Sequence, residues 1–209
     1  MMKSLGTLFV IAAPSGAGKT SLVNALVKSL DNIKLSISYT TRLKRPGEQN
    51  GVHYYFIDQA VFDTMVAAGD FLEHAIVFGH SYGTSRIWVE KQLKLGIDVI
   101  LEIDWQGAKQ IRESQFECVE IFILPPSRAI LERRLKERGQ DNLKVIESRM
   151  SAASSEMSHC HEFDYILVND DFHQTLQTFR EIVLSKRKGQ SYPLKKINLK
   201  LLEELLEKR

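Results

Sequence analysis

A chain of 209 residues with 44% hydrophobic and 26% charged residues can bury a full core as one elaborated domain or two small ones, which excludes intrinsic disorder as a description of the whole. Its 28 Lys+Arg against 26 Asp+Glu leave a formal charge of +2, too little for a global field that recruits nucleic acid or an anionic membrane, so any anion site must be local. Cys118 and Cys160 are too few and too far apart for a disulfide framework or a CxxC motif, and no apolar run approaches the ~18 residues of a membrane span. Leu8–Ala13 is too short, and too directly followed by a Gly-rich loop, for a signal peptide, and a cytoplasmic location is expected.

In chain order, Thr7–Ala13 is a nearly continuous apolar run, the pattern of a strand buried on both faces and placed at the centre of a parallel sheet. Pro14-Ser15-Gly16-Ala17-Gly18 cannot continue it, and Lys19–Leu30 then places Leu22, Val23, Leu26, Val27 and Leu30 at helical spacing. Ser36–Phe56 is rich in Ser, Thr, Tyr and Arg, with turn signals at Pro46-Gly47 and Asn50-Gly51; with a short helix capped by Asp58 and a strand-like Asp70–Phe78, it predicts a small mixed β insertion. Ile97–Ile103, Val119–Leu124 and Tyr165–Val168 repeat the apolar strand pattern with helical segments nearby, as a parallel α/β sheet does. Ser127–Met157 reads as a helical hairpin, Ser127 capping a helix that ends before Gly139 and Asp141 capping the next. Leu194–Arg209 forms an amphipathic pattern through Ile197, Leu201, Leu202, Leu205 and Leu206, and its apolar stripe must pack on the core or on another subunit.

The segment Ala13-Pro14-Ser15-Gly16-Ala17-Gly18-Lys19-Thr20 has the form of a phosphate-binding loop, GxxxxGK[ST], with Ala13 in place of the first glycine. Backbone N–H groups from Ser15 to Thr20 can wrap a phosphate at a helix N-terminus, Lys19 neutralises β/γ oxygens, and Thr20 presents a hydroxyl to Mg²⁺. Ala13 ends the strand and need not approach the phosphate. Asp104 lies where a strand delivers carboxylates to its C-terminal end; it can join the magnesium shell, cap the following helix, or both.

Two other readings are available at this point. Asp104-Trp105-Gln106-Gly107 matches the DxxG element of GTPases, but Val168-Asn169-Asp170-Asp171 lacks the lysine of a guanine-reading Asn/Thr-Lys-x-Asp loop. His159-Cys160-His161 suggests metal, yet adjacent residues point in different directions and no fourth ligand is evident.

The segments Ser38-Tyr39-Thr40-Thr41-Arg42, Arg45-Pro46-Gly47-Glu48, Asn50-Gly51-Val52-His53-Tyr54, Glu73-His74-Ala75, Tyr82-Gly83-Thr84 and Leu101 to Gly107, in this order behind the phosphate loop, resemble guanylate kinases over about Thr7 to Lys188. The resemblance implies a P-loop NTPase three-layer α/β/α fold within 5–188: a parallel core at 5–35, 96–126 and 158–188, a GMP-binding insertion at 36–95 and a helical lid at 127–157, followed by a tail at 189–209. It implies phosphorylation of GMP, and of dGMP, by ATP with Mg²⁺ in purine nucleotide recycling. Ala13 to Thr20 would bind ATP, with Asn169 on the adenine side. Arg42, Arg45, Tyr54 and Tyr82 would hold the acceptor phosphate. Ser38, Glu73 and Thr84 would read guanine, whose adjacent N1–H and N2–H₂ donors suit a carboxylate. Glu102, where many relatives have Asp, and Asp104 complete the GMP side.

Arg134 and Arg138 are four apart and Arg149 lies on the next helix, so lid closure would bring all three over the transferring phosphoryl group, with Lys19 and Arg42 the other catalytic cations. Arg133 faces elsewhere; the plainer alternative is a solvated helix with Glu132 and Lys136 paired. Guanylate-kinase-like domains also occur as non-enzymatic modules for phosphorylated proteins, typically with degraded phosphate loops; intact Gly16, Gly18, Lys19 and Thr20 imply an enzyme. Expected partners are the nucleotides, with neither nucleic acid nor membrane, and a homo-oligomer through the C-terminal helix.

Overall fold

The computed structural model describes residues 5–114, 116–137, 143–193 and 199–207. The chain divides into two compact units, Met1–Phe9 with Asn32–Cys118, and Val10–Asp31 with Val119–Arg209, so the division falls inside the first strand, β1 (Leu8–Ala12). All five residues of β1 are buried, the outcome its unbroken apolar run demands. It is the middle strand of a five-stranded sheet whose other members are β2 (Ile33–Leu35), β7 (Asp98–Glu102), β8 (Cys118–Leu124) and β9 (Tyr165–Val168), in the order β2-β7-β1-β8-β9.

In the first unit β2 runs parallel to β7 with Ile33 opposite Asp98. Asp98 is buried, and its carboxylate accepts the Thr7 N–H at 2.7 Å. A second, four-stranded sheet follows the order β4-β3-β6-β5, made of β3 (Tyr39–Thr40), β4 (Tyr55–Phe56), β5 (Phe71–Val77) and β6 (His80–Ser85). Its β3 and β4 are parallel while β6 runs antiparallel to β3 and to β5, which is the mixed β insertion expected from the turn residues. The register shifts between Phe71 and Glu73, a bulge of the kind that re-aims a side chain. The helix α2 (Gln59–Ala68) begins at Asp58, whose carboxylate accepts the Val61 N–H, as expected, and ends on Gly69 at φ 71°.

Two elements of this unit carry little signal in the sequence. Strand β6 is flanked by neither Pro nor a long apolar run, and α3 (Arg86–Lys94) buries Gln92 beside Val89 and Leu93. A glutamine on the buried face blurs the amphipathic pattern; here its amide oxygen accepts from Lys34 Nζ at 3.0 Å. The fourth helix, α4 (Trp105–Glu113), is capped by Asp104, which accepts the Gly107 N–H at 2.9 Å.

In the second unit α1 (Lys19–Ser29) buries Leu22, Val23 and Leu26, three of the five residues whose spacing predicted it. Strands β8 and β9 are parallel, Ile121 opposite Tyr165. The hairpin segment holds α5 (Arg128–Glu137), where Ser127 Oγ accepts the Ile130 N–H at 3.2 Å, and α6 (Leu143–Ser158); the cap expected from Asp141 lies outside the described residues. The long α7 (Phe172–Arg187) is capped by Asp171 and buries Phe179, Ile182 and Val183. Of the tail, α8 (Leu199–Leu206) is described and Ile197 is not. Leu205 is fully buried within its own chain against α6. The Arg128 guanidinium ties three helices together, donating to Ser154 Oγ, to Met150 O and to Leu205 O. No described helix is long and apolar enough to cross a membrane.

Candidate active site

The phosphate loop forms because two of its residues are glycines at φ 92° (Gly16) and 95° (Gly18), a region that L side chains rarely adopt. Gly18 also admits a close neighbour: a Cβ there would lie 2.4 Å from Asn169 Nδ2. The loop is closed by Ala17 N–H donating to Pro14 O at 3.1 Å. Helix α1 then starts with no side-chain cap on Gly18, unlike α2, α3, α4 and α7, whose N-termini are capped by Asp58, Ser85, Asp104 and Asp171. A helix N-terminus without a side-chain cap, with its first-turn N–H groups and partial positive charge, suits an anion. Lys19 is partly exposed and Thr20 exposed, while Pro14 and Ala17 are buried and Ala13, Ser15, Gly16 and Gly18 are intermediate.

Three residues from distant sequence meet this loop. Asn169, buried at the end of β9, donates from Nδ2 to Ala17 O at 2.7 Å, and its Oδ1 has no hydrogen-bond partner among the described residues. Arg134 on α5 spans Ala17 O at 3.4 Å and Asn169 O at 3.1 Å. Arg149 on α6 donates to Ser15 Oγ at 2.8 Å. The expected lid arginines 134 and 149 are therefore drawn to the phosphate loop; Arg138 lies outside the described residues. Arg133 points away, pairing with Glu137 at the surface, and the Glu132–Lys136 pair is also formed, so one helix carries both the solvated face and the loop-facing one.

In the first unit, Glu73 and Thr84 lie opposite each other on β5 and β6. Both are buried, and the Thr84 hydroxyl donates to Glu73 Oε1 at 2.6 Å. The other oxygen, Oε2, lies over Gly107 in the first turn of α4, where a Cβ would approach it to 2.5 Å. A buried carboxylate is costly unless hydrogen-bonded, and this one is held by a hydroxyl at one oxygen and given space by a glycine at the other. Ser38 precedes β3 and its carbonyl accepts the Tyr55 N–H at 2.9 Å.

Arg42 follows β3 in a nest of aromatic and acidic groups. Its Cζ lies 5.3 Å from the Tyr54 ring centroid and 5.7 Å from that of Phe56, within cation–π range. Tyr54 meets Tyr82 edge to face at 5.9 Å. Glu48 grips the Arg42 guanidinium with both carboxylate oxygens, at 2.7 and 3.0 Å. The hydrogen bonds to Glu48 push the Arg42 guanidinium above its ordinary value, and the same bonds hold the Glu48 carboxyl below the usual carboxylate range. Burial, then the neighbouring Tyr82 phenol and Glu102 carboxylate, push the Tyr54 phenol up, with Arg42 opposing. Glu102, the last residue of β7, is thereby placed beside the same group. Arg45 and Asp104 are half-buried, and Asp104 also accepts from Gln106 Nε2 at 3.0 Å, so both of its oxygens have partners.

Glu48 and Gly107 stand inside the sequence motifs, yet neither receives a part from the sequence alone. The signal for Glu48 was a carboxylate brought back by Pro46-Gly47 toward two arginines; for Gly107 it was a glycine in a helix's first turn, where Ala would serve the helix better. The three adjacent side chains at 159–161 go to different surroundings: His159 faces Glu162, Cys160 is buried, and His161 is exposed.

The family model for guanylate kinase matches residues 5–186. A guanylate kinase of Alkalilimnicola ehrlichii is 59% identical over 182 residues, 87% of this chain and 90% of its own. One from Coxiella burnetii is 54% identical over 97% of this chain and 98% of its own. The crystal structure of guanylate kinase from Anaplasma phagocytophilum superposes with a TM-score of 0.74 at 37% identity, covering 89% of this chain and 88% of that one.

Proposed function

The chain belongs to the guanylate kinase family and transfers the γ-phosphoryl group of ATP to GMP, giving ADP and GDP, and from this premise we propose how its residues divide the reaction. The core at 5–35, 96–126 and 158–188 carries ATP on the loop Ala13 to Thr20, with Asn169 Oδ1, the buried acceptor, supporting a contact to the adenine amino group. The insertion 36–95 takes GMP. Ser38, Glu73 and Thr84 read the base, with Glu102 and Asp104 at its border; Arg42, Arg45, Tyr54 and Tyr82 take the phosphate. The segment 127–157 is the lid, and 189–209 a tail. The same assignment extends to dGMP, which carries the same base and phosphate as GMP.

The observation that carries this reading is the Glu73 carboxylate, buried, oriented by Thr84 and given room by Gly107. Guanine presents two adjacent donors to such a group and adenine does not. An oxygen of the GMP phosphate attacks the γ-phosphorus in line, that P–O bond forms while the bond to the β-phosphate oxygen breaks, and ADP departs. No side-chain nucleophile is involved. Lys19, Arg42, Arg134, Arg138 and Arg149 supply fixed positive charge where it spreads over the phosphoryl oxygens, and the lid excludes water from the transfer.

Magnesium fits the donors present. Thr20 offers an exposed hydroxyl and Asp104 a carboxylate that would act through water, both hard oxygen ligands. Among the described residues no three His, Cys, Asp or Glu side chains gather as a chelating cage would need, in keeping with an ion held largely by substrate phosphates and water. When bound there, Mg²⁺ neutralises charge on the β- and γ-phosphates.

The reading extends to a cytoplasmic place in purine nucleotide recycling, independent of nucleic acid and membrane, which the substrates and the near-zero net charge support. The tail offers a subunit contact through half-exposed Leu202 and Leu206, Leu205 being committed within the chain. Initial rates of ATP-dependent phosphorylation of GMP, dGMP, AMP, CMP and UMP test the assignment: GMP and dGMP are used, and comparable use of AMP refutes the base-reading set.

A further inference from the structure

At the Pro46-Gly47 turn, where Gly47 takes φ 83°, the chain returns so that Glu48 reaches both arginines that precede it. Its carboxylate accepts three hydrogen bonds: Arg42 Nη2 to Oε1 at 2.7 Å, Arg42 Nη1 to Oε2 at 3.0 Å, and the Arg45 backbone N–H to Oε2 at 2.7 Å. The Leu43 carbonyl takes a further Nη1 proton at 2.8 Å. The Arg42 and Glu48 side chains are only 11% and 17% exposed, and the Tyr54 and Phe56 rings flank the guanidinium.

A guanidinium has five N–H donors in a fixed fork. Glu48 and Leu43 together take three of them, two on Nη1 and one on Nη2. Left over by these acceptors are Nε–H and the second Nη2–H, which lie along one straight edge, the two-donor geometry that matches a phosphate. The Tyr82 hydroxyl lies within hydrogen-bonding reach of this guanidinium and raises its basicity, so it stands at the edge where the phosphate would be shared between the two residues. An arginine held in this way gives up its rotamer freedom before the nucleotide arrives, which removes that ordering cost from binding.

We propose that Glu48 is a positioning residue for the phosphoryl acceptor: it fixes Arg42 by one edge and Arg45 through its backbone, so that the other edge of Arg42 is presented to the phosphate of GMP. The proposal rests on the assignment of Arg42 to that phosphate. The opposite role, a carboxylate that stands in for the phosphate and must be displaced by it, predicts an effect of opposite sign.

The test is steady-state GDP formation by the full chain for Glu48→Gln, Glu48→Ala, Arg42→Ala and the double variant Arg42→Ala with Glu48→Gln. GMP is varied at saturating ATP, then ATP at saturating GMP, with circular dichroism confirming folded protein at the assay temperature. Glu48→Gln keeps the size of the side chain and one acceptor oxygen, so it remains informative if Glu48→Ala does not fold. The expected result is a rise of about 10-fold in KM for GMP in Glu48→Gln, from the loss of one charge-assisted hydrogen bond, with KM for ATP unchanged. In the Arg42→Ala background the same substitution adds little, because the two residues act as a unit. A lower KM for GMP in Glu48→Gln overturns the proposal in favour of a displaced competitor. An unchanged KM for GMP beside an impaired Arg42→Ala, or a parallel rise for GMP and ATP, overturns it in favour of a structural role. If Arg42→Ala itself binds GMP normally, the assignment of Arg42 fails, and that of Glu48 with it.

Discussion

Gly107→Ala places two effects in opposition. Alanine in a helix is worth about 1 kcal/mol over glycine, so α4 taken alone gains stability. The new methyl, however, would lie 2.5 Å from Glu73 Oε2 and 3.2 Å from both Glu73 Cδ and Ile103 Cδ1. Restoring a contact of 3.4 Å from 2.5 Å moves that oxygen by about 0.9 Å. Glu73 is 4% exposed and its other oxygen is held at 2.6 Å by Thr84, so the carboxylate has little room to move without giving up that bond. A misplacement near 1 Å at a reacting site costs on the order of 10²-fold, and the loss of a charge-assisted hydrogen bond alone is worth about 1.5–3 kcal/mol. We expect kcat/KM for GMP to fall by roughly 10²-fold, trace activity toward AMP to change far less, and Tm to shift by about 4 °C or less because the helix gain offsets part of the clash. Measuring kcat/KM for both nucleotides together with thermal melts decides it. Intact GMP use, or an equal loss for GMP and AMP, would refute the claim that Gly107 makes space for a guanine-reading carboxylate.

Lys19→Ala leaves a folded protein, since Lys19 is partly exposed at the first position of α1 and is not among that helix's buried residues, but lowers phosphoryl transfer by on the order of 10²-fold or more; circular dichroism and GDP formation measured together check this, and loss of folding contradicts it. The Glu48 carboxyl is held down in the folded state, chiefly by its hydrogen bonds to Arg42, so its contribution to stability is complete above the unfolded carboxylate value of about 4.3 and fades as pH falls through the lower folded value. The Tm difference between wild type and Glu48→Gln is therefore largest near neutral pH and closes in acid; a difference that persists below the folded value counts against the ion pair. Leu205→Ala removes a fully buried side chain and should release α8 from α6 with a destabilisation of at most about 2–5 kcal/mol. Faster hydrogen exchange in α8 and α6 is the readout, and unaltered exchange would mean that the tail is held elsewhere.

The core was legible because β1, β7 and β8 are buried on both faces and their apolar runs admit little else: Phe9, Ile100 and Phe122 are inside whatever surrounds them. Helix starts were legible wherever a cap carries its own chemistry, at Asp58, Asp104 and Ser127. Strand β6 and helix α3 were not, since Thr84 and Gln92 are polar residues buried against partners, Glu73 and Lys34, that only the tertiary fold supplies. The phosphate loop could be read residue by residue, because its glycines and its lysine each answer a local requirement. The acceptor side could be named from resemblance, but the parts played by Glu48 and Gly107 depend on distances between side chains, and spacing along the chain carries no such information.

The central claim is that a single buried carboxylate selects guanine. In Glu73→Gln one acceptor oxygen becomes a donor facing the donors of guanine, which leaves polar groups unpaired in a closed site. The most direct measurement is the ratio of kcat/KM for GMP to that for AMP, taken on the wild type and on Glu73→Gln under identical conditions. GMP use is expected to fall by about 30- to 1,000-fold, corresponding to roughly 2–4 kcal/mol, with AMP use changed far less and the ratio collapsing accordingly. A ratio that stays at its wild-type value while both rates decline would contradict it, and would make Glu73 a support of the fold rather than the reader of the base.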